Sequence, residues 1–559
     1  MNAFLTTHRL HLTPLSPIHI GCGEDFEPTN YVIEDNVLYG FDPSRATLSD
    51  LQRSKLLDLA NRASLLGLQR YFREHAAVFK PHAQVLIPVS QGVAVKYEQD
   101  IGRAVNQESN GNQVFNQFVI ERASHTGAQA WPYVPGSSFK GCLRTAFLDD
   151  LNQGQRVTRA EELDRKGNAK ADAVEHRLLQ GNFSTSPLRL LKVTDFMPNR
   201  EPQRRVLCAV NRKKKLVIKD GRELQPKDLS ARKESILQGQ YRAFSAEVVL
   251  PSLDPHTEPK LTPTPGLRPR ALTPIVHTTN SYHMARLRRE LELLASRGLV
   301  NPAWQHSVEQ LLAGELGRRI QAGQAMLVRL GRYGGAESKT LSGAGVARIK
   351  IMQGKGVPPV FMDSTKTVWL AAEHETDQKH LLPFGWAVVE IDPEDDLPEL
   401  QAWCQQQSQG RPDMAQLRAS FEAEKTAAAR RKAEREAQVA ARAAQAAAEQ
   451  AAAEERAKVL QALSPNLQAV ETLRQQCEEL LHKITGGNFR KQPPDVGRAG
   501  LYQDASRLVK AALEAADWTA PEKSALAEIL EQYLPQVISP WDPKEQRKKL
   551  RFATLREKS

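Results

Sequence analysis

The run YVPGSSFKGCLRTAF, Tyr133 to Phe147, is the stretch around which this chain is read. Pro135 and Gly136 mark a turn, because proline fixes φ and glycine reaches backbone conformations that other residues avoid. Ser137 or Ser138 is then placed to cap a helix by accepting from its first free N–H groups. Phe139, Leu143, Ala146 and Phe147 recur at helical spacing as an apolar stripe, and Lys140 and Arg144, an i,i+4 pair, stand beside it. A helix N-terminus with two cations in its first turns suits a phosphate backbone. The same local pattern also describes a capped surface helix with solvated cations.

Outward from that helix, residues 4–20 alternate as a strand and end in the turn-forming GCGEDFEP. Residues 31–41, YVIEDNVLYGF, read as a hairpin with Asp35 and Asn36 at its turn. Helical spacing covers 48–80, residues 83–130 are mixed with a polar loop at 106–113, and 153–172 is a basic linker. The block 186–196, SPLRLLKVTDF, reads as a strand ending in Asp195, with further strands in VLCAVNRKKKLVIKDG and FSAEVVL. A proline-rich surface loop at 251–274 and one or two helices over 281–323 follow, and FGWAVVEI forms a last strand at 384–391.

The second landmark is VRLGRYGGAESKTLSGAG, residues 328–345. Gly331, Gly334, Gly335, Gly343 and Gly345 let the backbone approach a phosphate closely, and Arg332, Ser338, Lys339 and Thr340 supply donors between them. There is no G-x-x-x-x-G-K-[ST] here, which disfavours nucleotide hydrolysis, and no G-x-G-x-x-G. A flexible hairpin loop has the same composition. His8, His11 and His19 near the first strand offer imidazoles for RNA cleavage through the 2′-hydroxyl, but a regular strand sends His8 and His11 to opposite faces. Glu24, Asp25 and Asp195 are isolated acids, a type that more often caps or is solvated than holds a metal. No metal and no cofactor is expected.

The chain has 559 residues, with 76 Lys and Arg against 65 Asp and Glu, a net charge of +11 that favours a polyanionic partner. Five scattered cysteines form no C-x-x-C pair, which argues against a zinc site or a disulfide framework and fits a reducing cytosol. No apolar signal core or membrane-length stretch is seen, so a soluble cytoplasmic protein with no membrane partner is expected.

Five motifs in order, SPIHIGCGEDFEPTNYVIEDNVLYGFD, VPGSSFKGCLRTA, PLRLLKVTD, LGRYGGAESKT and PFGWAVVEI, resemble a RAMP protein of a type III-A CRISPR system. More narrowly, residues 1–392 resemble the Csm-complex subunit, counted fifth, that caps the 3′ end of the CRISPR RNA. The resemblance implies an α+β fold of two ferredoxin-like (RRM-like) RAMP domains with an all-α C-terminal extension. It implies a non-catalytic subunit that binds the guide RNA, sits beside the repeating backbone RAMP subunit, and supports 3′ maturation by engaging nucleases. Ser137, Ser138, Lys140 and Arg144, with Gly331, Arg332, Gly334, Gly335, Ser338, Lys339 and Thr340, become the expected RNA contacts. The competing expectation is a metal-independent endoribonuclease of the same superfamily that processes repeat RNA. The expected domains are 1–250 and 251–392 for the two RAMP units, 393–462 for a linker and spacer, and 463–559 for a helical module.

The tail lies outside the resemblance. Residues 415–462 are dominated by strong helix formers with no Pro or Gly, and Val439 is the only large apolar residue from Thr426 to Lys458. A coiled coil needs apolar residues at both seam positions, so a solvated single helix is expected. Beyond it, Leu467 to Ile484, 501–516 and 521–534 read as three amphipathic helices, and the basic end KEQRKKLRFATLREK as a contact for RNA or an acidic partner face.

Overall fold

The computed structural model describes residues 4–62, 64–101, 119–124, 131–158, 173–180, 184–219, 221–223, 231–253, 256–262, 264–353, 356–487, 490–494 and 500–557. The chain divides into two compact units, Met1–Ala423 and Glu424–Ser559. The expected polar loop at 106–113 and most of the expected basic linker at 153–172 lie outside the described residues.

The first unit is mixed α+β. One six-stranded sheet has the order Ala325–Arg329, Trp386–Ile391, Leu5–Pro14, Phe244–Pro251, Lys192–Val193, and Met197–Pro198 also pairs with Phe244–Pro251. All its pairings are antiparallel. The second runs Leu382–Pro383, Thr367–Ala372, Arg204–Lys213, Ala231–Ile236, Ile120–Glu121, Asp25–Phe26. A three-stranded sheet joins Tyr31–Glu34, Val37–Phe41 and Ala83–Pro88.

Strand pairing runs across the expected division at residue 250. Leu10 of the first strand pairs with both Ala246 and Ile391, and Val210 pairs with Leu370, so both six-stranded sheets draw strands from either side of that boundary. Alternating hydrophobicity fixes which face of a strand is buried, not which distant strand it pairs with.

Leu10 and Leu12 of the central strand share a core with Phe139 and Leu143, so the helix Gly136–Asn152 lies on that sheet through the expected stripe. Ala146 is also buried, while Phe147 packs in a smaller cluster with Leu151 and Leu267. The helix start differs from expectation: neither Ser137 nor Ser138 caps it, and the Gly136 N–H donates to the Asp195 carboxylate at 2.7 Å. Gly136 sits so close to the Thr194 carbonyl that a Cβ there would lie 2.4 Å from its oxygen, which fixes glycine at this position. Asp195 therefore caps a helix and does not end a strand. The segment 186–196 forms a 3-10 turn, Pro187–Leu190, and a two-residue strand.

The hairpin at 31–41 is as expected, with Asp35 and Asn36 at φ 49° and 58° in a two-residue turn. Three helices occupy the region read as one or two: Thr273–Ser296, Pro302–Ala313 and Glu315–Gln321.

Met414–Ala462 is one unbroken helix of 49 residues. Leu417 and Phe421 in its opening turns join the cluster of Tyr39, Phe41 and Phe79, so this part belongs to the first unit. From Glu422 to Val459 it is almost wholly exposed, including Val439. In the second unit, Pro465–Thr485, Leu501–Glu514 and Ala520–Val537 enclose Val470, Leu473, Cys477, Val509, Leu526 and Leu530. The basic end is not a free arm. It forms Pro543–Lys549 and Phe552–Arg556, buries Leu550, Phe552 and Leu555 in the same core, and pairs Arg547 and Arg556 with Glu531. The Leu-x-Phe-x-x-Leu spacing of its apolar residues outweighs its charge. No helix among the described residues is long and apolar enough to cross a membrane.

Candidate nucleic-acid interface

The glycine-rich loop leaves the strand Ala325–Arg329 and is held at each step. Gly331 has φ 80°, a Cβ there would lie 2.4 Å from the His19 carbonyl oxygen, and the Arg332 N–H donates to that carbonyl at 2.9 Å. Further on, the Tyr282 hydroxyl donates to the Thr340 carbonyl at 2.7 Å. Arg286, stacked over the Tyr282 ring at 3.2 Å, donates to the carbonyls of Glu337 and Thr340 at 2.8 and 2.9 Å and to the Ser342 hydroxyl at 3.1 Å. Asp149, near the end of the Gly136–Asn152 helix, accepts from the Ser342 N–H and, at 2.8 Å, from its hydroxyl. Glu337 accepts from Thr365 N–H and Oγ1 at 2.7 and 2.9 Å and from Lys214. The loop is thus a built structure, with its Glu337 and Thr340 carbonyls already paired.

Around it lies a cleft of about 930 Å³ lined by Lys214, Arg286, Arg289, Arg329, Arg332 and Lys339 against Glu290, Glu337 and Asp363. Arg329 pairs with Glu290 at 2.8 Å and Arg332 with Glu121 at 3.0 Å. Arg289 and Lys339 are exposed, with no hydrogen-bond or ion-pair partner among the described residues. Partial desolvation, then the nearby charges of Arg329 and Arg332, lowers the Lys339 ammonium pKa; a phosphate arriving there relieves the repulsion. Tyr333 and Trp369, both half-buried, form part of the wall with ring centroids 5.2 Å apart.

Beside the cleft, Glu121 lies 3.0 Å from His19 Nε2, 2.6 Å from Lys233 Nζ and 3.0 Å from Arg332 Nη1. The hydrogen bond to His19 and the contact with Lys233 hold its carboxyl well below the usual carboxylate range.

The structure gathers Arg332, Gly334, Gly335, Ser338, Lys339 and Thr340 on one cleft, while Gly331 packs against the His19 carbonyl and is not part of its lining. Ser338 is buried there and its hydroxyl donates to the Gly335 carbonyl at 3.0 Å, so it is a brace within the loop. Lys140 and Arg144 are not among the cleft residues. Lys140 Nζ donates to the Leu191 carbonyl at 2.8 Å, and burial, then Lys192, lowers its pKa. Both ends of the Arg144 guanidinium engage Glu175. The spacing that puts these cations side by side also lets each reach a partner within the fold.

The early histidines do not converge. His8 Nδ1 lies 2.6 Å from Asp392, His11 Nδ1 is 3.1 Å from the Ser245 hydroxyl, and His19 is fully buried with Nδ1 2.7 Å from the Glu234 carbonyl. Desolvation, then Arg242, lowers the His11 pKa. Glu24 pairs with Arg122 at 3.3 Å. No grouping of metal-ligating side chains occurs among the described residues. Sequence reading missed Arg286, Arg289, Tyr333 and Trp369. The first two had a signal, an i,i+3 arginine pair on a helix; Trp369 had none.

No protein-family model matches the chain. It is similar to a CRISPR protein, in agreement with the resemblance to type III-A RAMP proteins read from the five motifs. In particular, it is 23% identical over 188 residues to the "CRISPR system Cms protein Csm5" of Methanocaldococcus jannaschii, a match over 33% of this chain and 41% of that protein. The match thus spans about two fifths of that relative's length. Among solved structures, a chain of the Csm–crRNA–target RNA ternary complex of a type III-A system aligns with 69% of this chain and 100% of its own length, at 16% identity and a TM-score of 0.40. Csm5 of T. onnurineus aligns with 68% and 99%, at 14% identity and a TM-score of 0.37.

Proposed function

We propose that this chain is an RNA-binding assembly subunit of a type III-A CRISPR surveillance complex. It holds the 3′ region of the guide RNA, supports its maturation, and works in the cytoplasm beside the repeating backbone subunit without cleaving RNA itself. The observation that carries the reading is the cleft at residues 331–345, where Arg289 and Lys339 stand exposed among charges that are otherwise internally paired. Two cations with no partner among the described residues, over a braced, glycine-rich backbone, suit phosphates, whose contacts position a strand without reading its sequence. We read the two six-stranded sheets as the cores of two RRM-like halves interleaved along the chain. The endoribonuclease alternative gains no observation in its favour, because each early histidine faces a different structural partner.

The test is co-expression with the other subunits of such a complex, followed by purification and sequencing of bound RNA. Recovery of the chain in the complex with guide RNA is expected, with guide occupancy lowered in Arg289→Ala/Lys339→Ala. A chain that never co-purifies, or a double variant with full guide occupancy, overturns the reading. Cleavage of repeat RNA by the isolated chain in EDTA would overturn its non-catalytic part.

A further inference from the structure

We propose that the cleft takes one unstacked nucleobase of a single-stranded RNA on the Tyr333–Trp369 wall, with adjoining phosphates on Arg289 and Lys339; this rests on the RNA-binding reading above.

Tyr333 has φ 66°, a left-handed conformation that bulky side chains avoid. Such a residue persists only where its surroundings over-determine it, and sites of that kind cluster where ligands bind. Here the fixing contacts are Trp369 at 5.2 Å, Phe384 at 5.4 Å and the Lys233 ammonium 5.4 Å from the ring centroid. Phe384 is fully buried, whereas Tyr333 and Trp369 are each half-buried and line the cleft, so ring surface remains available beside it.

Trp369 carries a second sign. It lies on the strand Thr367–Ala372, whose alternate residues Val368 and Leu370 point into the main core. The indole is therefore on the opposite face, where with Tyr333 it packs against the small cluster of Leu207, Ala209, Ala371 and Phe384 and, being only half-buried, also lines the cleft.

The cleft's volume falls within the range of small-ligand pockets. Its carboxylates Glu290 and Glu337 are already met by Arg329 and Lys214, and Asp363 accepts from the Gly345 N–H, so none of the three pairs with Arg289 or Lys339, whose charges are left for an anion. Aromatic rings beside exposed cations match a nucleotide's two parts, and stacking accepts any base because every base has a π-face. A membrane headgroup would use the cations and not the aromatic lining beside them.

The test uses the purified full chain and two labelled probes, a 12-nucleotide oligouridylate and a 12-unit ribose-phosphate chain without bases. The wild-type protein should prefer the oligouridylate by about tenfold. Trp369→Leu and Tyr333→Leu should each remove most of that preference while binding the baseless chain as before. Trp369→Tyr, which keeps an aromatic face, should retain it, and Arg289→Ala/Lys339→Ala should weaken both probes alike. Thermal melts identify any variant that fails to fold, and the wild-type comparison of the two probes stands without them. Equal wild-type affinity for both probes, or an undiminished preference in folded Trp369→Leu and Tyr333→Leu, overturns the base-capture inference and leaves the RNA-binding reading intact. Salt-independent or undetectable binding of both probes overturns the RNA-binding reading itself.

Discussion

The Asp149 carboxylate accepts from both the N–H and the hydroxyl of Ser342, joining the Gly136–Asn152 helix to the glycine-rich loop. Asp149→Ala should free that side of the loop. Hydrogen bonds to a charged group contribute about 1.5–3 kcal/mol, so a several-fold loss of affinity for a single-stranded RNA probe is expected, with a small change in Tm because Asp149 is only half-buried. Unchanged affinity in fluorescence anisotropy would mean that the loop's conformation does not depend on this link.

The cations of the glycine loop and those of the Gly136–Asn152 helix should behave differently. Arg289→Ala/Lys339→Ala should flatten the plot of log affinity against log salt by about 1.4, taking ~0.7 per phosphate contact on a single strand. Lys140→Ala should instead lower Tm, since it removes the donor to the Leu191 carbonyl, and leave the salt slope as it was. A flattened slope in Lys140→Ala would restore that residue to the interface.

Glu121 gives a pH signature. Its carboxyl is held below the usual 4.5 by the hydrogen bond to His19 and then by Lys233. A carboxylate with a depressed native pKa contributes stability in full above its unfolded pKa and loses it as pH falls toward the native value. The wild-type Tm should therefore drop more steeply below pH 4.5 than that of Glu121→Gln. Parallel Tm curves for the two proteins between pH 6 and the acid limit of folding would remove Glu121 from the account.

The position of Phe421 decides where the tail can be cut. A chain ending at Ala423 keeps Phe421 on Tyr39, with ring centroids 5.7 Å apart, whereas one ending at Gly410 strips it away. Loss of a buried phenylalanine costs about 3–5 kcal/mol, so the shorter chain should melt well below the longer one. Residues 463–559, with their own core, should show a cooperative helical melt by circular dichroism. Equal melting of both truncations would show that the Phe421 contact contributes nothing to the first unit.

How far the sequence could be read follows from the range of each interaction. The Asp35–Asn36 turn, the stripe from Phe139 to Ala146 and the long solvated helix are local patterns, and all three are found. The cap on Gly136 comes from Asp195 and the partner of Arg144 is Glu175, both too far along the chain for spacing to reveal. Likewise, glycine density placed the loop, but its aromatic wall comes from Trp369 on a separate strand. The pairing of strands across residue 250 has no local signature at all.

The Leu5–Pro14 strand, central to its sheet, also sets a schedule for synthesis. It emerges early, yet its neighbour Trp386–Ile391 follows roughly 370 residues later. At ~5–20 residues per second that interval is on the order of 20–75 s. Throughout it, Leu10 and Leu12 sit beside an unpaired edge on the ribosome, a template for the wrong strand. Slower folding through chaperone-held intermediates, and better yields when nascent chains are kept dilute, follow from a sheet that cannot close until its last strand has been made.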